Sequence, residues 1–198
     1  MITTIYNSIG SKQAPAIGDT WLDVVNPATG EVVARCPDSD KSDIEAAVIA
    51  ARKASPLWSR LSNGERASWL NKLADALEQN IDEFANAETG NSGKPFSLSR
   101  NIEMPRAVEN LRFFAASASQ FSSESHHGQA GWNVTTRTPL GIVGCISPWN
   151  LPLYLFTWKI APALAAGNCV IAKPSEITPL TAAMLGELAQ KIGFPEIA

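Results

Sequence analysis

Two clusters of polar residues stand where a parallel β-sheet would bind a ligand. Each follows a short apolar run, Leu140–Ile146 for the first and Cys169–Ala172 for the second, and an apolar segment of helical length separates the runs. This pattern predicts a strand, a crossover helix and a second, parallel strand. The carboxyl ends of such strands meet at one edge of the sheet, where open α/β folds bind ligands. The clusters predicted to open onto one crevice are Ser147-Pro148-Trp149-Asn150 and Lys173-Pro174-Ser175-Glu176.

Residue type alone leaves more than one role open for these side chains. Asn150 is as consistent with a turn ahead of a Leu-Pro pair as with a hydrogen-bond donor in a site. Lys173 and Glu176 are equally typical of a solvated pair at the start of a helix, and the alternative for Trp149 is packing in the core. Lys159, on the crossover helix, also fits a surface lysine whose stem lies along apolar neighbours.

The thiol and imidazole groups do not form a reactive or metal-binding pattern. The three cysteines have spacings that fit neither a disulfide framework nor a metal-binding knuckle. Cys145 and Cys169 fall within the two predicted strands, where a thiol packs as a small hydrophobe, and Cys36 is interpreted in the same way. His126 and His127 are adjacent and so point in different directions. No metal site is predicted.

Composition narrows the class of protein. The chain has 198 residues, a hydrophobic fraction of 45%, a charged fraction of 18% and a net charge of -3, which are typical of a globular protein with a substantial core. Because there is no dense run of Lys or Arg, no nucleic acid and no membrane surface is expected as a partner. The first residues do not resemble a signal peptide, and the apolar segment 151–166 is too short to span a bilayer. We therefore expect a cytoplasmic location.

Periodicity and turn residues predict the elements that position the clusters. A turn at Asn26–Gly30 predicts an N-terminal hairpin packed on the rest of the body. The first helix is expected to begin with a capping box at Ser42 and to stop at Pro56, and the last is expected to have Thr178 as its N-cap. The predicted strands are 2–6, 21–25, 31–35, 132–138, 140–146 and 169–172, and the predicted helices are 42–55, 66–77, 81–89, 98–121, 151–166 and 178–191.

Several motifs follow one another along the chain in a specific order and spacing. They are NPATGE (26–31), GKP (93–95), PLGIVG (139–144), SPWN (147–150), WK (158–159), APALAAGN (161–168) and KPSE (173–176). Together they are similar to the N-terminal portion of the NAD(P)-dependent aldehyde dehydrogenase superfamily, over nearly all of the chain. The segments 102–115 and 148–159 most resemble the branch that acts on 2-hydroxymuconic and 2-aminomuconic semialdehydes.

The resemblance implies an α/β fold made of a β-hairpin, a helical layer, an oligomerisation strand and the first βαβα of a Rossmann-like cofactor domain. It divides the chain into three parts. Residues 1–131 form the hairpin and the helical part of the cofactor-binding domain, 132–140 a strand of the oligomerisation arm, and 141–198 an incomplete NAD-binding unit. The full-length family implies a homodimer or homotetramer. The absence of a G-x-G-x-x-G fingerprint agrees with the family, whose cofactor binding departs from that pattern.

The resemblance also implies a mechanism and roles for residues. In the family a cysteine attacks the aldehyde to form a thiohemiacetal, hydride passes to the nicotinamide, and a glutamate helps water to hydrolyse the thioester. Asn150 matches the amide that stabilises the oxyanion, and Lys159 matches a supporting lysine nearby. Lys173 and Glu176 match the ribose contacts, and the Glu176 carboxylate favours NAD over NADP because it repels a 2′-phosphate. The implied cofactor-binding residues are Ile146, Ser147, Pro148, Trp149, Lys173, Ser175 and Glu176.

Family members are more than twice as long as this chain. Their nucleophilic cysteine and general-base glutamate fall beyond Ala198, so we expect this chain by itself to have no dehydrogenase activity. Two alternatives stay open: a non-catalytic module that binds a nucleotide or a partner chain, and betaine aldehyde or another small aldehyde as the substrate.

Overall fold

The chain begins with β-structure, continues as a layer of helices and ends with alternating strands and helices. A computed structural model describes residues 2–10 and 12–195. The strands are β1 (Thr3–Thr4), β2 (Asn7–Ile9), β3 (Lys12–Ala14), β4 (Trp21–Val25), β5 (Val32–Pro37), β6 (Ser125–Gly128), β7 (Gly131–Val134), β8 (Ile142–Ile146) and β9 (Cys169–Lys173). The helices are α1 (Lys41–Arg60), α2 (Asn63–Gln79), α3 (Ile81–Ser92), α4 (Phe96–Leu98), the π-helical turn Ser99–Glu103, α5 (Met104–Gln120), α6 (Pro152–Ala165) and α7 (Leu180–Lys191).

The N-terminal hairpin is confirmed. β4 pairs antiparallel with β5, and β1 lies parallel to β5 on its other side. In the turn, the Asn26 side chain accepts a hydrogen bond from the Ala28 amide at 2.9 Å, and Gly30 has a φ of 75°. The small apolar cluster under this sheet packs against Leu180 and Ala183 of α7, which attaches the hairpin to the body. The short hairpin β2–β3 was not predicted, because its mostly exposed residues show no apolar alternation.

One larger apolar cluster joins the helical layer to the C-terminal strands. It contains buried side chains from α1, α2, α3, α5, α6 and α7 and from both β8 and β9. Leu70, Leu77 and Leu111 are completely buried in it. Full burial of such a side chain contributes about 1.5–3 kcal/mol to the free energy of unfolding. The packing of the helical layer against the strands therefore stabilises their position.

Two predicted limits of α1 are wrong. Asp40, not Ser42, caps the helix: its carboxylate accepts a hydrogen bond from the Ser42 amide, and Asp43 completes the capping box. The helix also continues through Pro56 to Arg60. Proline removes one backbone donor, but the last turn buries Trp58, which is 1% exposed. Tertiary packing therefore outweighs the local break.

The next helices also differ from their predicted limits. α3 continues past Gly90 to Ser92 and is followed by Gly93, whose φ of 74° is the left-handed conformation of a helix C-cap. The single helix predicted for 98–121 begins instead at Phe96 and contains a π-helical turn before α5. Pro105 lies in the first turn of α5, where its missing N–H removes no hydrogen bond of that helix.

The C-terminal βαβ unit is confirmed, with α6 as its crossover helix. β8 and β9 are parallel, with Ile142 opposite Cys169 and Ile146 opposite Lys173. β8 is shorter than predicted, since Leu140 lies outside it and is 89% exposed.

Side chains that are distant in sequence hydrogen-bond to the end of α6 and to the start of α7. The indole N–H of Trp58 donates to the Leu164 carbonyl at 3.1 Å, and Arg66 Nε donates to the Ala165 carbonyl at 3.0 Å, so two carbonyls at the end of α6 are satisfied. Thr178 makes no capping hydrogen bond to α7, contrary to the prediction. The Leu180 amide donates instead to the side chain of Asn91 at 3.2 Å.

The strand predicted for 132–138 is shorter and belongs to a hairpin. β7 ends at Val134 and pairs antiparallel with β6, which was not predicted because its Ser-His-His-Gly sequence has no strand pattern. All residues of both strands are exposed. This hairpin therefore contributes little to the core.

Candidate active site

The parallel register brings the two polar clusters to one edge of the sheet. Ile146 and Lys173 are opposite each other at the ends of β8 and β9, and the Ser147 amide donates to the Lys173 carbonyl at 3.1 Å. The clusters that follow are therefore neighbours, as the sequence predicts.

Asn150 lies in the turn between β8 and α6. Its side chain is exposed and makes no hydrogen bond to the residues at 2–10 and 12–195. Its backbone carbonyl accepts a hydrogen bond from the Lys94 ammonium at 2.6 Å. The turn thus presents a free amide side chain while its backbone is attached to the helical layer.

The residues just before Asn150 divide between the crevice and the interior. Ile146 is 71% exposed and Trp149 is 58% exposed, which excludes the alternative that Trp149 packs in the core of this chain. Pro148 is exposed as well. Ser147 is buried, and its hydroxyl has no partner in the described part of the chain.

Lys94 forms an ion pair that sequence reasoning missed. Its ammonium lies 2.6 Å from the Glu103 carboxylate, and the two side chains are only 20% and 4% exposed. The one sequence signal was the GKP motif, in which a lysine follows the glycine that ends α3. No pattern in the sequence connected that lysine to Asn150.

Glu88 was also missed, and it connects the two helices of the βαβα unit. It is 1% exposed and accepts hydrogen bonds from the Thr181 hydroxyl at 2.6 Å and from the Leu153 amide at 3.4 Å. Burial, helped by the charge of Glu103, raises the pKa of its carboxyl to about 7, and the Thr181 hydrogen bond opposes this rise. Glu88 thus holds the start of α6 and the start of α7 to α3.

The second cluster carries an exposed ion pair. Lys173 Nζ lies 2.9 Å from Glu176 Oε2, and both side chains are more than half exposed. The backbone N–H of Glu176 and the hydrogen bond from Lys173 lower the pKa of the Glu176 carboxyl, so it is ionised at neutral pH. Ser175 is buried, and its hydroxyl accepts a hydrogen bond from the Ile177 amide at 3.3 Å. Two charges are therefore presented to solvent from a fixed turn.

Lys159 lies on the exposed side of α6. Its ammonium makes no hydrogen bond within the described residues, and its carbonyl accepts a hydrogen bond from the Cys145 thiol at 3.6 Å. This exposure fits the surface-lysine alternative, and its role beside the site stays a prediction.

Among the residues that the structure describes, the thiols and the acidic groups offer no other reactive centre. Cys36, Cys145 and Cys169 are all buried, as predicted, and burial raises the pKa of each thiol. Within the described ranges, no three His, Cys, Asp or Glu side chains are grouped closely enough to hold a metal ion. The helices there are also too short or too polar to cross a membrane.

The sequence model of the aldehyde dehydrogenase family matches residues 14–198. The chain belongs to the aldehyde dehydrogenase family. This confirms the resemblance found in the motifs and the α/β fold class that it implies.

Known aldehyde dehydrogenases match almost the whole chain. Human 2-aminomuconic semialdehyde dehydrogenase is 52% identical over 193 residues, which is 96% of this chain and 39% of the relative. The 2-hydroxymuconic semialdehyde dehydrogenase of Pseudomonas sp. (strain CF600) is 44% identical over 94% of this chain and 39% of its own length. The crystal structure of PnpE, of Pseudomonas sp. WBC-3, in complex with nicotinamide adenine dinucleotide superposes with a TM-score of 0.93 at 38% identity, covering 99% of this chain and 40% of that chain. The chain thus spans about two fifths of the length of these aldehyde dehydrogenases, as expected for the N-terminal portion of the fold.

Proposed function

We propose that this chain forms the N-terminal portion of an NAD-dependent aldehyde dehydrogenase that oxidises a muconic-type semialdehyde to the carboxylic acid. The observation that carries the proposal is the parallel register of β8 and β9, which puts an exposed amide and a charged pair at one sheet edge. Identity to relatives named as 2-aminomuconic and 2-hydroxymuconic semialdehyde dehydrogenases supports the substrate class. The PnpE complex supports NAD as the cofactor.

In this proposal Asn150 donates its side-chain N–H to the oxygen of the former carbonyl as negative charge develops there. A neutral amide suits the task because it donates without releasing a proton. Its exposure and its lack of a partner within the described residues leave the donor available to a substrate. Such donors typically contribute 10²–10³-fold, on the order of 3 kcal/mol, to kcat.

The second cluster fits the adenosine end of NAD. Glu176 is ionised and beside Lys173, so the pair offers one acceptor and one donor to ribose hydroxyls. The same carboxylate repels a 2′-phosphate, which favours NAD over NADP. Ile146 and Trp149 would line the cleft with exposed apolar side chains. NAD, when bound, supplies the hydride acceptor.

The proposed nucleophile and base come from outside this chain. The three thiols are buried with raised pKa values, so none is suited to attack an aldehyde. We therefore expect no turnover by the 198-residue chain. We retain the proposed division into 1–131, 132–140 and 141–198, and the exposed Trp132 and Val134 of the hairpin support an oligomerisation arm in a homo-oligomeric enzyme.

The test uses the complete enzyme that contains this chain, with Asn150→Ala and, as a matched control, the exposed Asn101→Ala. We expect kcat for 2-hydroxymuconic semialdehyde to fall about 10²–10³-fold in Asn150→Ala, with the KM for NAD unchanged, because the amide acts on the transition state. Asn101→Ala should behave as the parent. An unchanged kcat in Asn150→Ala would contradict the assigned role.

Three further measurements separate the alternatives. NADH formation by the 198-residue chain alone would contradict its expected inactivity. A higher kcat/KM for betaine aldehyde than for 2-hydroxymuconic semialdehyde would contradict the substrate class. Calorimetric titration of the chain with NAD distinguishes a nucleotide-binding module from a purely partner-binding one.

A further inference from the structure

We propose that Lys94 is a positioning residue: its ammonium joins the buried Glu103 carboxylate to the backbone carbonyl of Asn150 and so fixes the direction of the Asn150 side chain. The inference rests on the proposed role of Asn150 as the oxyanion donor. It adds to that role a named device outside the βαβ unit.

The contact geometry is that of a bridge. Lys94 Nζ lies 2.6 Å from Glu103 Oε1 and 2.6 Å from the Asn150 carbonyl oxygen. An ammonium has three donors, and two of them are directed to these acceptors. Hydrogen bonds in which the donor is charged are shorter and stronger than neutral ones. The turn is therefore held by a strong bond to its backbone, which leaves the side-chain amide free.

Burial fixes the Glu103 end of this bridge, while the hydrogen bond to the Asn150 carbonyl is exposed. Glu103 lies in the π-helical turn with a side chain 4% exposed, and Lys94 is 20% exposed. The second oxygen of Glu103 has no partner in the described chain, so the ammonium is the main compensation for this buried carboxylate. Moving Lys94 away would leave a buried charge unpaired. The position of the ammonium is thus set by the helical layer and passed on to the Asn150 turn.

The backbone before Lys94 is fixed as well. Gly93 has a φ of 74°, and a Cβ at this position would lie 2.8 Å from the Pro27 ring. Pro95 follows and restricts the backbone further. Three motifs that are far apart in sequence therefore meet here: Pro27 contacts Gly93, and Lys94 contacts Asn150.

A double-mutant cycle in the complete enzyme tests whether Lys94 acts through Asn150. We expect Lys94→Met to lower kcat about 10- to 100-fold, the size typical of a misplaced catalytic group, without changing the KM for NAD. In the Asn150→Ala background, Lys94→Met should lower kcat little further. Lys94→Arg should restore part of kcat, because a guanidinium can reach both acceptors. The control Lys53→Met removes an exposed lysine of α1 and should change nothing.

Hydrogen exchange of the 198-residue chain provides a readout that needs no catalysis. Lys94→Met should accelerate exchange of the Ser147 and Leu155 amides, which donate to the Lys173 and Leu151 carbonyls on either side of the Asn150 turn, and should leave α2 unchanged. Unchanged exchange in this turn would overturn the proposal, as would an equal loss of kcat in both backgrounds. If Asn150→Ala itself leaves kcat unchanged while exchange accelerates, the oxyanion role fails and the positioning role stands.

A second variant covers the case in which Lys94→Met does not fold. Lys94→Met with Glu103→Gln removes both charges, so no buried carboxylate is left unpaired. This double variant should fold and should show the faster exchange of the Asn150 turn. Failure of both variants to fold would overturn the proposal, because the pair would then be an element of folding.

Discussion

The two polar clusters at the sheet edge are positioned by the same pair of strands but are held in different ways. The Asn150 turn is tied to the helical layer by a hydrogen bond from Lys94, whose side chain and that of its ion-pair partner Glu103 are 20% and 4% exposed. By contrast, Lys173 and Glu176 are 57% and 54% exposed. Breaking a buried pair typically costs about 3–5 kcal/mol, and an exposed pair contributes about 0–1 kcal/mol. The first arrangement suits a group that must not move. The second suits two charged side chains that can give up their ion pair and bind a ligand instead.

The largest expected effect on stability is at Glu88, which is buried close to the Lys94–Glu103 pair. Its folded pKa of about 7 exceeds the ordinary value of 4.5. As pH rises between these values, the unfolded chain releases a proton that the folded chain retains, so the free energy of unfolding falls by on the order of 3 kcal/mol and then levels off above about pH 7. Glu88→Gln should remove this loss, because an amide does not ionise.

Urea unfolding at about pH 5 and about pH 8 measures this slope. Glu103 and Lys94, the charged groups that act on Glu88, are present in both proteins and cancel in the comparison. The exposed Glu109→Gln on α5 is the matched control and should keep the parent slope. A Glu88→Gln variant that keeps it too would show that Glu88 does not cause the loss.

A smaller effect is expected at Gly93, which seats Lys94. Gly93→Ala should lower the free energy of unfolding by roughly 2 kcal/mol, because alanine is strained at positive φ and its Cβ would meet the Pro27 ring. Gly90→Ala, in the same helix with nothing within 4 Å of the new Cβ, should instead stabilise by about 0.5–1 kcal/mol. Denaturant midpoints measure both. Equal effects at the two glycines would contradict this explanation.

The smallest effect on stability is expected at the exposed Lys173–Glu176 pair. Glu176→Gln should change the free energy of unfolding by no more than about 1 kcal/mol, as is usual for an exposed pair. The affinity for NAD should nevertheless fall about tenfold or more, because a charged acceptor is lost. Calorimetric titration of the parent and the variant measures the affinity. If stability fell and the affinity for NAD did not, the Lys173–Glu176 pair would have a structural role like that of the Lys94–Glu103 pair.

The sequence was sufficient to predict the βαβ unit and the placement of its clusters. Strand and helix periods are local, and apolar runs that end in polar residues mark the strand ends whatever else the chain does. The resemblance of the motifs to the family supplied the roles predicted for Asn150, Lys173 and Glu176, which stay predictions. The contacts of Lys94 with Asn150 and of Glu88 with Thr181 span 56 and 93 residues, and no periodicity encodes such pairs.

The local errors have local and tertiary causes. At the start of α1, Asp40 and Ser42 are both good N-caps, and only the backbone geometry shows which one is used. At Pro56 the core burial of Trp58 extends the helix past a residue that usually ends one. The strand β6 was missed because an exposed hairpin needs no apolar alternation.

The hydrogen bonds at the end of α6 have a consequence for biosynthesis. The Trp58 donor precedes its Leu164 acceptor by 106 residues. At the usual pace of translation, roughly 5–20 residues per second, the indole is synthesised about 5 to 20 s before the carbonyl. During that interval α1 and α2 must remain without the partner that completes them. The nascent helical layer is therefore a site where a chaperone could act before α6 is made.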